Sequence, residues 1–284
     1  MVALESTLLA HGLPRPDNRA AADEVESAVR EGGAVPATIA VLDGVPHIGL
    51  TPSQLDRICA GEGLAKLGIR DLPVATALRI SGATTVSSTA LLAARAGIGV
   101  FATGGLGGVH RQAADTFDES ADLTALSRSS LVVVCAGVKS ILDVPATLER
   151  LESLSVTVVG YRTTSFPGFY VADSGSPLDW SVEDPQQAAE VFAARRVLAP
   201  GAVVVANPLP ADEQLDPALH DRVIAEALTA ASEAGVRGKD VTPFVLAHLH
   251  RASGGATLDV NVRLVLRNAD LAARIAVALA ALPR

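Results

Sequence analysis

Aromatic residues make up only 3% of the 284-residue sequence. A core must therefore be built from Ala, Val, Leu and Ile, and a hydrophobic content of 49% supplies enough of them. The same scarcity removes the stacking platforms that single-stranded nucleic acids require. Basic excess is missing as well: 23 Lys and Arg face 31 Asp and Glu, a formal net charge of −8. That excludes a general binder of nucleic acid or of anionic membrane surfaces, yet leaves room for a small phosphate ligand held by a few local donors. Cys59 and Cys135 are the only cysteines. A disulfide framework is excluded, and a reducing cytoplasm is the expected location. No signal-peptide pattern is read at the N-terminus, and no apolar run approaches the roughly 18 residues that mark a membrane span.

What is present is an alternation of strand and helix patterns. Val2 to Leu4, Gly99 to Ala102, Leu131 to Ala136, Val156 to Gly160 and Ala202 to Ala206 are short apolar runs of the kind buried in parallel sheets. Thr38 to Leu42 and Val45 to Ile48 flank Asp43-Gly44, a hairpin signal. Helical patterns fill the intervals, among them Asn18 to Glu31, Thr51 to Ala60, Thr85 to Ala96, Ala121 to Ser127, Asp143 to Leu154 and Pro185 to Leu198. Three more follow, Pro217 to Ala234, Thr242 to Ser253 and Leu258 to Leu279. The expected fold is one α/β domain over residues 1–284, a three-layer α/β/α sandwich with a mixed, largely parallel central sheet and a small antiparallel excursion. Thr163 to Asp184 is loop-rich and is expected near the site or at an oligomer contact.

In such sheets ligands sit beyond the carboxyl ends of the strands. Glu5 stands there, directly after Val2-Ala3-Leu4, either as a solvated strand-end carboxylate or as a desolvated proton donor. Lys139 follows the apolar run that ends at Val138, either as a snorkelling surface lysine or as a desolvated amine nucleophile. The loop Thr103-Gly104-Gly105-Leu106-Gly107-Gly108 is either a structural turn or a cradle for an anion. Asp118 and Asp122 are four apart, which puts them on one face of a helical turn. Asp118 is then a plain helix cap or a ligand to a hard metal ion. His248 and His250 face different ways on a helix and do not form a metal pair.

Taken together, these segments resemble the pseudouridine-5'-phosphate glycosidase family, also called the indigoidine synthase A family. The resemblance rests on Ala3-Leu4-Glu5-Ser6-Thr7, on Gly82-Ala83-Thr84-Thr85-Val86, and on Thr103-Gly104-Gly105-Leu106-Gly107-Gly108-Val109-His110-Arg111. It continues through Asp118-Glu119-Ser120-Ala121-Asp122, Cys135-Ala136-Gly137-Val138-Lys139-Ser140, Val205-Ala206-Asn207-Pro208 and Gly238-Lys239-Asp240-Val241-Thr242-Pro243-Phe244. It implies cleavage of the C–C glycosidic bond of pseudouridine 5'-phosphate to uracil and ribose 5-phosphate. By the same resemblance Glu5 is the proton donor, Lys139 the nucleophile forming a Schiff base, and Asp118 the ligand of one Mn2+. Lys66, Val86, Ser120, Ala121, Asp122 and Asn261 are implied to contact substrate, and a cytoplasmic homotrimer is implied. Rival readings are a ribokinase-type sugar-phosphate kinase, a Schiff-base aldolase and a non-catalytic phosphate-binding module.

Overall fold

The short apolar runs take extended form because each is buried on both faces, where Val, Ile and Ala pack without competing for water. Val132–Cys135 and Val203–Ala206 are buried at every position. The computed structural model describes residues 1–236 and 241–283, without the side chains of Thr242 and Pro243. Gly238, Lys239 and Asp240 of the last conserved-looking motif lie outside the described residues.

A ten-stranded sheet forms the middle layer. From one edge its order is Ser181–Val182, Thr157–Tyr161, Val203–Ala206, Val132–Cys135, Val100–Ala102, Val2–Leu4, Pro36–Leu42, Gly82–Thr84 and Ala65–Leu67. The first seven run parallel. Val45–Ile48 and Gly82–Thr84 both pair antiparallel with Pro36–Leu42, and Ala65–Leu67 pairs parallel with Gly82–Thr84. Helices cover both faces, as expected. The long last helix, Ala256–Ala281, packs against Asp17–Glu31 and Pro185–Leu198 on one face, while Val86–Arg95 packs against Ala121–Arg128 on the other.

The expected hairpin forms, with Asp43 and Gly44 at φ +52° and +80°. Thr51 caps Pro52–Ala60 in a capping box with Gln54. Three strands of this sheet were not expected, Ala65–Leu67, Gly82–Thr84 and Ser181–Val182. None is longer than three residues, too short for an alternating pattern to register. Gly82-Ala83-Thr84 is thus a buried strand, and only Thr85 reaches the following helix as its N-cap.

Candidate active site

Glu5 leaves the carboxyl end of the central strand Val2–Leu4, which is hydrogen-bonded to Pro36–Leu42 on one side and Val100–Ala102 on the other. The next two residues lock its position. Ser6 Oγ donates to Ile39 O at 2.6 Å and accepts from Thr84 N at 2.9 Å, while Thr7 Oγ1 donates to Thr84 O at 2.7 Å. Thr103, which follows Val100–Ala102, donates its hydroxyl to Glu5 Oε1 at 2.5 Å. Burial pushes the Glu5 carboxyl above its ordinary 4.5; Lys139 and the Thr103 hydrogen bond pull against that, Asp122 adds to it, and Lys66 pulls it down least.

Lys139 reaches the same place from the neighbouring part of the sheet. Val132–Cys135 ends, Gly137 turns the chain at φ +85°, Val138 bridges Leu106, and Lys139 N donates to Leu106 O at 3.1 Å. A side chain at Gly137 has no room, because its Cβ would stand 2.1 Å from Pro167 O. The Lys139 side chain is half-buried rather than enclosed. Lys66, from the middle of Ala65–Leu67, is half-buried beside it.

These residues stand where two spaces meet. Glu5, Thr7, Lys66 and Lys139 line both a cavity of about 530 Å³ and a wider cleft of about 1210 Å³. Gly104, Gly105, His11, Phe169 and Asn261 close the cavity. Asn261 is 5% exposed and its Oδ1 has no hydrogen-bond partner. Burial, and then Lys66, hold the His11 imidazole below its ordinary range. The cleft contains Thr85, Val86 and Ser87 at the N-terminus of Val86–Arg95, with Arg70, His110, Asp118, Ser120, Ala121 and Asp122 opposite. All the residues singled out from the sequence therefore converge on one connected space.

One expectation needs correction. Asp118 and Asp122 do not share a helical turn. Asp118 precedes the bridge formed by Glu119 with Val109, and the helix Ala121–Arg128 is capped by Ser120, whose Oγ accepts from Asp122 N at 3.2 Å. Asp122 is buried, its carboxylate fastened by Ser87 N and Gly107 N, each at 2.9 Å. The glycine loop, in turn, is glycine because side chains already fill the space. A Cβ at Gly105 would stand 2.5 Å from Phe169 Cδ2, and one at Gly108 would stand 2.4 Å from Thr147 Oγ1. Its residues serve close packing, and the N-terminus of Val86–Arg95 already holds an anion, the Asp122 carboxylate that accepts from Ser87 N.

Asp118 lines the wider cleft. Its side chain is 34% exposed, with His110 Nε2 at 3.9 Å. Among the described residues no cluster of three His, Cys, Asp or Glu surrounds it. The donor set fits a hard divalent ion carrying mostly water, and no ion that needs a full protein cage.

Several site residues escaped the sequence. Thr103 was read only as part of the glycine loop. Phe169, at φ +69° and buried, comes from the loop-rich excursion expected near the site. Asn268 on the last helix was not singled out. Its Nδ2 donates to Thr103 O at 2.8 Å, and its Oδ1 accepts from Asn207 Nδ2 at 2.9 Å. Nothing local marks it: it is one more buried helix position.

Comparison with known proteins agrees with this geometry. The family model described as indigoidine synthase A like protein matches residues 1–278. The pseudouridine-5'-phosphate glycosidase of Salinispora tropica is 62% identical over 283 residues, covering 99% of this chain and 87% of that protein. The protein of the same name from Streptomyces griseus is 60% identical over 282 residues, with the same two coverages of 99% and 87%. Among solved structures, the prealnumycin C-glycosynthase AlnA in complex with ribulose 5-phosphate aligns with a TM-score of 0.91 at 39% identity, covering 99% of this chain and 92% of that one. An indigoidine synthase A like protein of Thermotoga maritima aligns at 0.90 and 37% identity, covering 97% and 91%. With its motifs, its sheet order and its match over nearly the whole length, the chain belongs to the indigoidine synthase A like family.

Proposed function

We propose that the chain hydrolyses pseudouridine 5'-phosphate to uracil and ribose 5-phosphate, with Lys139 as nucleophile and Glu5 as proton donor. The observation that carries this reading is the meeting of the two side chains at the junction of cavity and cleft. The names of the Salinispora and Streptomyces relatives support the substrate.

A carbon leaving group defeats the usual pair of carboxylates, which relies on an oxygen or nitrogen that accepts a proton readily. An amine opens another route. Neutral Lys139 attacks C1', the bond from C1' to the ring oxygen breaks, and Glu5 gives that oxygen its proton. The new C–N bond leaves an ammonium, which returns a proton to Glu5. Glu5 passes that proton to uracil C5, the nitrogen lone pair forms a C=N bond, and the bond from C1' to uracil C5 breaks with its electron pair returning to the uracil ring. Water adds to the Schiff base and releases ribose 5-phosphate. The raised carboxyl of Glu5 suits the first step, because it keeps a proton available.

The cleft suits the ribose phosphate. Its phosphate meets the cations Lys66 and Arg70, while Val86, Ser120, Ala121 and Asp122 form the wall along the sugar. The cavity suits the base. The unpartnered amide of Asn261 matches a uracil edge, where carbonyl acceptors alternate with N–H donors. Asp118 would hold one Mn2+ with His110 beside it. Such an ion supplies charge stabilisation and ordered water at the phosphate end. The chain is further proposed to be a cytoplasmic homotrimer, a location consistent with two free, buried cysteines. Among the described residues no helix is long and apolar enough to cross a membrane.

The test is incubation of the purified chain with pseudouridine 5'-phosphate and Mn2+, followed by assay of free uracil. Borohydride added during turnover should leave a ribose phosphate adduct on Lys139, detectable by mass, and none in Lys139→Ala. No uracil under these conditions ends the proposal. Consumption of ATP would point to a kinase instead, and adduct without uracil to an aldolase.

A further inference from the structure

The base cavity is not closed at its far end. A third space, open to solvent along His11, Pro14 and Ala247, adjoins it, and His11, Gly12, Leu246 and Asn261 line both. Beyond that shared rim the chamber is walled by Leu13 and Pro14 after the π-helical turn Leu8–Gly12, by Tyr170, by Ala247 and His250 on the helix Val241–Ala252, and by Thr257 and Leu258 at the start of the last helix. The lining is largely apolar, with polar atoms at a few points. Tyr170 is 3% exposed, and burial pushes its phenol above the ordinary range. His250 Nδ1 is buried without a partner. Uracil is a single six-membered ring, and under the proposed reading it occupies the cavity between Lys139 and Asn261. The chamber behind Asn261 is left over.

We infer that this chamber is an extension of the base site, and that the chain accepts pseudouridine 5'-phosphates carrying an apolar or aromatic group on N1 of the uracil. The inference rests on the proposed glycosidase reading. With the ribose held at Glu5 and Lys139, the base points towards Asn261, the buried amide at the boundary of the two spaces. The N3–H with its two flanking carbonyls is the edge an amide reads. Of the two positions left, C6 adjoins the carbon whose bond breaks, and N1, one atom further from it, carries a substituent past Asn261 into the chamber. Substitution there leaves the chemistry intact, since the bond that breaks is C1'–C5 and the proton goes to C5. The N1-substituted uracil departs whole, and no further reactant is required. A chamber of this lining favours a flat apolar group, which gains by leaving water and meets His250 or Tyr170 at its edge.

The test uses the purified chain with N1-benzylpseudouridine 5'-phosphate beside unsubstituted pseudouridine 5'-phosphate. Release of N1-benzyluracil with kcat/KM within about tenfold of the parent is expected, a margin set by what apolar pockets discriminate. Ala247 faces the chamber but not the base cavity, and Ala247→Phe should fill it. That variant is expected to lose at least about tenfold in kcat/KM on the benzyl substrate while staying within about twofold on the parent. Cleavage of the parent without cleavage of the benzyl compound overturns the inference and leaves the glycosidase reading standing. So does an Ala247→Phe variant that treats both substrates alike. Failure to cleave either compound overturns the glycosidase reading itself, and the inference with it.

Discussion

The Thr103 hydroxyl donates to Glu5 Oε1 at 2.5 Å, across two strands that are neighbours in the sheet but 98 residues apart in the chain. This bond fixes the direction of the carboxyl and stabilises its charged form. It is opposed by burial, which favours the neutral acid. Behind it stands Asn268, whose amide holds the Thr103 carbonyl and is itself held by Asn207. The proton donor is thus positioned by a chain of side-chain bonds running from the last helix to the first strand.

Thr103→Val removes the hydroxyl and keeps the shape. Glu5 then loses the bond that favours its charged form, so its carboxyl rises further and the alkaline limb of the rate profile moves to higher pH. Loss of orientation lowers kcat by about tenfold or more, in line with the usual share of a positioned acid. KM is expected to stay within about twofold. A pH–rate profile of both enzymes checks this. An unchanged profile with unchanged kcat would count against Glu5 as the donor.

Glu5→Gln should abolish uracil release and stabilise the protein at neutral pH. The sign follows from the raised carboxyl. Between the ordinary 4.5 and the higher value in the folded state, the folded protein binds more protons than the unfolded chain. Stability is therefore fully present below about 4.5 and falls as pH rises through the folded value. Glutamine does not titrate and can still accept from Thr103. Thermal melts at pH 4 and pH 8 should show the variant gaining on the native protein by a few degrees at the higher pH. A variant less stable than the native protein at pH 8 refutes the account.

Gly137→Ala tests how Lys139 is delivered. Positive φ alone costs a residue with a side chain about 1–3 kcal/mol. Here the Cβ would also stand 2.1 Å from Pro167 O, so the segment leading to Phe169 must shift. Urea denaturation should register a loss above that of Gly175→Ala, which has φ +79° but nothing within 4 Å of its Cβ. Only Gly137→Ala is expected to lose activity strongly.

Asp118→Asn addresses the metal. With one protein carboxylate in the donor set, the substitution should weaken Mn2+ binding by at least about tenfold, measured by calorimetry on the free protein. Stability should change little, because Asp118 is partly exposed and His110 Nε2 stands 3.9 Å away. Undiminished Mn2+ binding would place the ion elsewhere.

Much of the architecture was legible along the chain. Val132 to Cys135 and Val203 to Ala206 read as buried strands because every position is apolar, and Thr51, Asp143 and Ser120 begin helices through their own side chains. Glu5 and Lys139 stood out as ionisable residues just beyond apolar runs. The three-residue strands at Ala65 and Gly82 did not, since nothing of that length carries a period.

The sequence by itself determined the longer elements and marked Glu5 and Lys139 at strand ends, because periodicity, capping and strand ends are local properties. Tertiary structure alone decided that Thr103 serves Glu5, that Asn268 holds Thr103, and that Phe169 closes the cavity. It also decided that the glycines of the Thr103 to Gly108 loop make room for Phe169, Asp122 and Thr147. The reason is that a parallel sheet places strands side by side in an order unlike that of the sequence. Partners at its carboxyl edge are chosen by that order, and no spacing along the chain records it.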